Sequence, residues 1–177
     1  MRKSRELNKK LREPRRGKIE PGAENFLCRW CGREVPKRRR TFCSSECVHE
    51  HKLRSNIDYM RENVFKRDIG ICAKCGIDCE YLKYEATLLL KQSDEFVVAD
   101  FLSSYSIPKG RIKGFLTRKL SLWDADHIVP VRNGGGGCGL DGMQTLCSGC
   151  HFKLTKEQQK NEFIGFVGAT LWEEEMN

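Results

Sequence analysis

Eight of the ten cysteines stand in four close pairs, and this pattern constrains the fold more than any other feature of the 177-residue chain. Cys28 and Cys31, Cys72 and Cys75, and Cys147 and Cys150 are each separated by two residues, while Cys43 and Cys47 are separated by three. A two-residue gap suits a knuckle, a turn that aims backbone N–H groups at two thiolates. A three-residue gap is close to one helical turn, so Cys43 and Cys47 can share a helix face. Two such pairs together offer the four thiolates of a closed structural zinc site. Disulfides are the competing use of cysteine, but they belong to secreted chains, and no secretory h-region opens this one. The spacing therefore predicts two zinc modules, one on Cys28, Cys31, Cys43 and Cys47 and one on Cys72, Cys75, Cys147 and Cys150. Cys79 and Cys138 are left over and read as small packed residues.

The length suits one domain with a small appendage. Leu88-Leu89-Leu90 is the longest aliphatic stretch and is too short to span a bilayer, so a soluble intracellular protein without a membrane partner is expected. That means the cytoplasm in a prokaryotic or phage setting and the nucleus in a eukaryotic one. The formal charge of +8 is unevenly placed. Residues 1–54 hold 17 Lys/Arg against 7 Asp/Glu, and the remainder holds 15 against 17. The basic surplus lies in the N-terminal part, which favours a polyanion partner.

Residues 1–25, with Pro14, Gly17, Pro21 and Gly22, read as a basic arm or linker. Residues 26–54 form an N-terminal zinc finger with a basic turn, Pro36 to Arg40, and an N-cap at Ser44 or Ser45 for the helix that follows. His49 and His51 read as polar residues of that helix, although they stand close enough to compete as ligands. Residues 55–160 form the second module. A helix is expected from Ile57 to Lys66, where Ile57, Met60, Val64 and Phe65 recur at helical spacing. Residues 79–120 read as a helical insertion, with one helix opened by Ser93-Asp94-Glu95 and running to about Ser104. Lys109, Arg111, Lys113, Arg118 and Lys119 make a second basic stretch. Leu122 to Val131, rich in apolar and β-branched residues, is expected as the first strand of a hairpin. The loop Asn133 to Gly139 follows, then a return strand from Met143 to Leu146 and a helix opened by His151 and running through Lys160. Residues 161–177 read as a tail whose Phe163, Phe166, Val167, Leu171 and Trp172 pack back on the domain, with an acidic end at Glu173 to Glu175.

Strand, loop, strand and helix, with Asp126-His127 on the first strand and His151 at the helix start, make a ββα-metal arrangement. Its chemistry suits a phosphodiester, which needs an activated water, a cation and help for the leaving oxygen. A neutral imidazole at His127 can take a proton from water. Asp126 and His151 can share a hard divalent ion, and mixed carboxylate and imidazole ligation suits Mg²⁺, Mn²⁺ or a late transition ion.

Residues 26–160 resemble the zinc-containing HNH endonuclease family. The similarity extends to stand-alone bacterial and phage members and to the HNH module of animal fork-remodelling helicases. It is carried by Cys28-Arg29-Trp30-Cys31-Gly32, Arg40 to Cys47, His51 to Asn56, and Leu122-Trp123-Asp124-Ala125-Asp126-His127-Ile128-Val129-Pro130-Val131. The resemblance implies an α+β fold: a ββα-metal, or His-Me finger, HNH domain with a four-cysteine zinc site and a helical insertion, preceded by a small treble-clef-like zinc finger. It implies His127 as general base, Asp126 and His151 as holders of the catalytic divalent ion, and zinc at Cys72, Cys75, Cys147 and Cys150. DNA is the implied substrate. Lys37, Arg38, Arg39, Arg40, Lys52, Arg54, Arg111 and Lys113 are the basic residues expected on its phosphates, contacts that position without reading bases. Two departures stand out. Gly142 occupies the place of the family's middle asparagine, which ties the loop together, and Leu154 the place of a lysine. Asn133 and Asp141 are the candidates to take over the tether, and restoring asparagine at 142 is expected to raise rate or stability. A metal-dependent DNA endonuclease is the reading. A zinc-dependent DNA-binding protein with a weakened or inactive site is its alternative, and a protein-interaction module is a third.

Overall fold

The computed structural model describes residues 26–160 and is α+β, with one two-stranded sheet among the described residues. Its residues fall into two compact units. One combines residues 26–67 with residues 127–144, and the other combines residues 68–126 with residues 145–160.

The first unit begins with the N-terminal finger. Leu27 bridges Glu34 in antiparallel fashion, and the chain turns between them with Gly32 at φ +74°. Such a left-handed residue favours glycine. Helix α1, Ser45–Ser55, is capped by Ser44, whose hydroxyl accepts from the Cys47 amide at 3.2 Å. Cys28, Val35 and Cys47 form a small buried cluster joined by Trp30 and Phe42. Three residues are too few to stabilise a finger by apolar burial alone, which is why cross-linking by metal matters in modules of this size. Helix α2, Ile57–Asp68, follows directly, with the Asn56 side chain accepting from Tyr59 N at 2.9 Å. It runs two residues beyond the end expected at Lys66.

The loop of the first unit carries single 3₁₀ turns at Val131–Asn133 and Leu140–Gly142. Its glycines are conformational necessities. Gly134 and Gly137 have φ of +98° and +73°, and a Cβ on Gly135 would lie 1.7 Å from the Val129 carbonyl oxygen.

The second unit holds the helical insertion as three helices: α3, Cys79–Gln92; α4, Glu95–Ser104; and α5, Lys109–Arg118. Asp78 and Asp94 cap α3 and α4, each carboxylate accepting from two backbone amides at 2.9–3.0 Å. Leu82, Ala86, Val98, Leu102, Ile107, Ile112, Phe115 and Leu122 form the main core. Cys79 is fully buried, as a small packed residue should be, and burial raises its thiol pKa.

Strand β1 is Trp123–His127 and pairs with β2, Met143–Cys147. The expected first strand was too long. Ile128 and Val129 are exposed, Pro130 has no N–H to give a ladder, and the chain leaves the sheet after His127. A helix, α6, covers residues 148–160, so it starts three residues before His151, inside the second knuckle. The expected basic arm (residues 1–25) and C-terminal tail (161–177) lie outside the described residues.

Candidate metal and catalytic site

Both cysteine quartets are assembled. The sulfurs of Cys28, Cys31, Cys43 and Cys47 lie within 4.8 Å of one another, and so do those of Cys72, Cys75, Cys147 and Cys150. A tetrahedral zinc with Zn–S bonds of ~2.3 Å requires S···S edges of ~3.8 Å. The measured edges agree: 3.5 Å for Cys31–Cys43, 3.4 Å for Cys43–Cys47 and 3.7 Å for Cys75–Cys147, with no disulfide among the cysteines. Each quartet can hold one zinc ion.

The surroundings of these thiols act in both directions: the neighbouring Cys47 and Cys31 thiols push Cys43 up to about 12 and burial pushes Cys147 up to about 11, whereas Cys31 and Cys72 are drawn toward the thiolate. Arg33 Nε donates to Cys31 Sγ at 3.4 Å and draws that thiol down to about 6. Burial pushes Cys72 up, but N–H groups of Cys147, Cys75 and Lys74 outweigh it and bring the thiol to about 7. In the Cys72–Cys75 knuckle the Cys72 N–H donates to Ile77 O at 2.9 Å, and Gly76 turns at φ +73°. Two bonds fasten the segment preceding and opening that knuckle to β2. Ala73 N donates to Thr145 O and the Thr145 hydroxyl to Asp68, both at 2.8 Å.

Cys147 ends β2, Cys150 lies in the first turn of α6, and His151 is the next residue. The knuckle thus fixes where His151 stands. Along β1, side chains alternate, so Asp124 and Asp126 share a face. His151 lies against that face. Its Nδ1 is 3.3 Å from Asp124 Oδ2, and its Nε2 is 3.8 Å from Asp126 Oδ1. Arg111, from α5, points one guanidinium nitrogen, Nη2, at both Asp124 oxygens, at 2.8 and 2.7 Å, a charge-assisted contact. Ser148 Oγ donates to Asp124 Oδ2 at 3.4 Å. Arg111, Asp124, Ser148 and His151 line a cleft of about 240 Å³ with Pro108, Phe152 and Thr155.

The electrostatics follow from this arrangement. Burial raises the Asp124 carboxyl, but His151 and Arg111 outweigh it and leave its pKa below the usual carboxylate value. The Asp124 hydrogen bond raises His151 above the ordinary imidazole value, against partial burial. An ionised Asp124 accepts a proton-bearing Nδ1, which leaves the Nε2 lone pair toward Asp126 when the ring is neutral. Nε2 and a carboxylate oxygen then face each other with no proton between them. One divalent ion bonded at ~2.1 Å to both would span anywhere from ~3 Å to ~4.2 Å, which includes the 3.8 Å observed. The donor set fits such an ion.

The remaining expected site residues are placed as follows. His127 ends β1, peptide-bonded to Asp126. Lys37, Arg38, Arg39 and Arg40 form an exposed turn on the finger, and Lys113 is exposed on α5. Lys52 lies over the Tyr59 ring at 5.3 Å. Arg54 pairs with Glu50 and stacks on Trp30 at 4.5 Å. Arg111, expected on phosphate, has its guanidinium on Asp124. Asp124 and Ser148 were not singled out by sequence reasoning. The period of two in Asp124-Ala125-Asp126 was the available signal for the first.

No family model matches the chain. Among characterised proteins it is similar to the DNA annealing helicase and endonuclease ZRANB3. Identity over 138 residues is 36% for the Mus musculus protein and 34% for those of Bos taurus and Homo sapiens. The match covers 67% of this chain and 11% of each relative, so the chain corresponds to a small part of their length. Among solved structures it matches the human ZRANB3 HNH domain at 28% identity and a TM-score of 0.49, over 64% of this chain and 97% of that one. With its paired cysteines and the Asp126-His127 and His151 motifs, the sequence relationship shows that the chain belongs to the HNH endonuclease family and is similar to the HNH module of the animal helicase and endonuclease.

Proposed function

We propose that the chain is a metal-dependent endonuclease that hydrolyses DNA phosphodiester bonds, with zinc in both cysteine quartets as structural metal. The observation that carries the reading is Asp126 and His151, 3.8 Å apart at the end of a zinc knuckle, with Asp124 holding the far side of the imidazole. Asp126 and His151 would hold Mg²⁺, Mn²⁺ or a related divalent ion. When bound, that ion supplies positive charge against the phosphate and the leaving oxygen. His127, next to Asp126 in the chain, takes the proton of the attacking water. Asp124 orients His151, and Arg111 keeps Asp124 ionised. The finger's exposed turn, Lys37 to Arg40, and Lys113 are free to lie along phosphates; the N-terminal arm adds nine Lys/Arg between Arg2 and Lys18.

Supercoiled plasmid nicking in Mg²⁺ or Mn²⁺ tests this. The zinc-loaded chain should nick, and His127→Ala should nick ~10²–10⁴-fold more slowly while still binding DNA. Undiminished cleavage by His127→Ala removes the assignment. The second reading, a DNA-binding zinc protein with a weakened site, is favoured by Gly142, and predicts binding without cleavage in either protein.

A further inference from the structure

The loop between β1 and β2 lacks the family's asparagine, yet it is not loosely held. Arg67, near the C-terminus of α2, reaches its backbone. One guanidinium nitrogen donates to the Leu140 carbonyl and the other to the Met143 carbonyl, each at 2.8 Å. These two carbonyls bracket Asp141-Gly142. Between them, the Gly142 carbonyl accepts from the Ile128 amide at 2.9 Å, and Gly142 N donates to Gly139 O at 3.1 Å. Ile128 is the residue immediately after His127. The hydrogen bonds therefore run from Arg67 to the 140–143 backbone, then to Ile128, and so to the base of the His127 side chain. Among the described residues, neither Asn133 nor Asp141 makes a side-chain hydrogen bond that holds this loop.

We propose that Arg67 is the positioning residue that substitutes for the absent asparagine, fixing the backbone from which His127 projects. The chemistry suits the task. A guanidinium is a planar fork with N–H groups in fixed directions, so it can hold two carbonyls at a set spacing, which a point-like ammonium does less well. The bonds are charge-assisted on the donor side. Gly142 is compatible with this arrangement. A Cβ there would lie 2.5 Å from Cys138 Cβ and 2.7 Å from Cys138 Sγ, so the tight backbone that Arg67 binds excludes a side chain at 142. The tether has moved from the loop itself to a helix packed in the same unit.

The kinetic part of this inference rests on His127 acting as general base; the structural part does not. The test uses the full, zinc-loaded chain and compares Arg67→Ala and Arg67→Lys with wild type in two assays. The first is amide hydrogen exchange. Arg67→Ala should speed exchange at Ile128 and Gly142 by about ten- to hundredfold, leaving amides of the insertion unchanged. Arg67→Lys should fall between. The second is nicking under saturating DNA. Arg67→Ala should lower kcat by about tenfold or more with KM little changed, and millimolar guanidinium should restore part of it. Unchanged exchange at Ile128 overturns the tether. An effect on KM alone, with a flatter salt dependence of binding, also overturns it, because Arg67 would then be a phosphate contact. If wild type binds DNA but never nicks, the endonuclease reading falls, and the exchange data still decide the tether.

Discussion

Replacing Gly142 by the asparagine usual in the family should damage this protein rather than repair it. The expectation from sequence was the opposite, because an asparagine amide could bridge the loop. The structure supplies the reason for the reversal. A Cβ at 142 would stand 2.5 Å from Cys138 Cβ, whereas non-bonded carbons settle at ~3.5–4.0 Å. The overlap is therefore ~1 Å or more, and it meets an atom fixed to backbone, not the end of a flexible chain. Relief requires the 138–142 segment to move, which strains the Gly142–Ile128 and Arg67–carbonyl hydrogen bonds. Overpacking of this kind costs about 1–3 kcal/mol. For a chain of this size that lowers Tm by about 2–12 °C. Differential scanning fluorimetry on zinc-loaded Gly142→Asn and Gly142→Ala measures it, and nicking rate should fall in parallel. Cys138 provides the control. Cys138→Gly removes both clashing atoms and should rescue Gly142→Ala. Cys138→Ala keeps the Cβ and should not. A Gly142→Asn protein as stable and as fast as wild type would refute the steric argument, and equal rescue by both Cys138 variants would show that the sulfur alone was at fault.

Elemental measurement after exhaustive dialysis should return about two zincs per chain, and strong chelators should unfold the protein, since such metal binding is part of the folding free energy; folded protein without zinc would overturn the quartet assignment. Asp124→Asn should weaken Mn²⁺ binding at Asp126 and His151 by about 10–100-fold, read by calorimetry, while zinc content stays the same; unaltered Mn²⁺ affinity would mean that Asp124 does not orient His151. The same variant has a pH signature. The pKa of His151 is raised in the fold, so its pair with Asp124 contributes stability below the unfolded imidazole value of ~6.5 and loses it as pH rises through the raised value. The wild-type advantage in Tm over Asp124→Asn, measured without divalent ion other than zinc, should shrink as pH rises from about 6.5 through the raised value. It should not vanish, because Arg111 still loses its partner in the variant; an advantage that grows with pH would contradict the assignment.

Much of the fold was legible because its signals are local. The knuckles show themselves by spacing, and Ser44, Asp78 and Asp94 each stand where a cap is needed. Within the helical insertion the helix opened at Ser93 to Glu95 is legible, while α5 reads from sequence only as a basic stretch. The misread strand has a physical cause. Ile128, Val129 and Val131 have the composition of a strand, and composition does not report that Pro130 and the Gly135 backbone pressed on Val129 turn the chain away. The start of α6 has a related reason: a two-residue gap suits a knuckle and a first helical turn alike, and in the fold Cys147–Cys150 is both.

The site divides along the same line. Asp126, His127 and His151 are visible because each is adjacent in sequence to a stronger signal, a strand or a knuckle. Arg111 and Arg67 act across long stretches of chain, on Asp124 and on the carbonyls of Leu140 and Met143, and nothing in the sequence specifies either partner. From sequence, Arg111 is expected on a phosphate and Arg67 is not singled out. Yet each lies within hydrogen-bond distance of a group that its charge can neutralise or its fork can span, and this is where an arginine differs most from a lysine. The insertion gains a role from the first of these. Without α5 there is no Arg111, and Asp124 loses a charge that, after His151, offsets its burial. A helical segment that reads as an addition between two zinc ligands is therefore joined to the chemistry of the residue that follows the last of them.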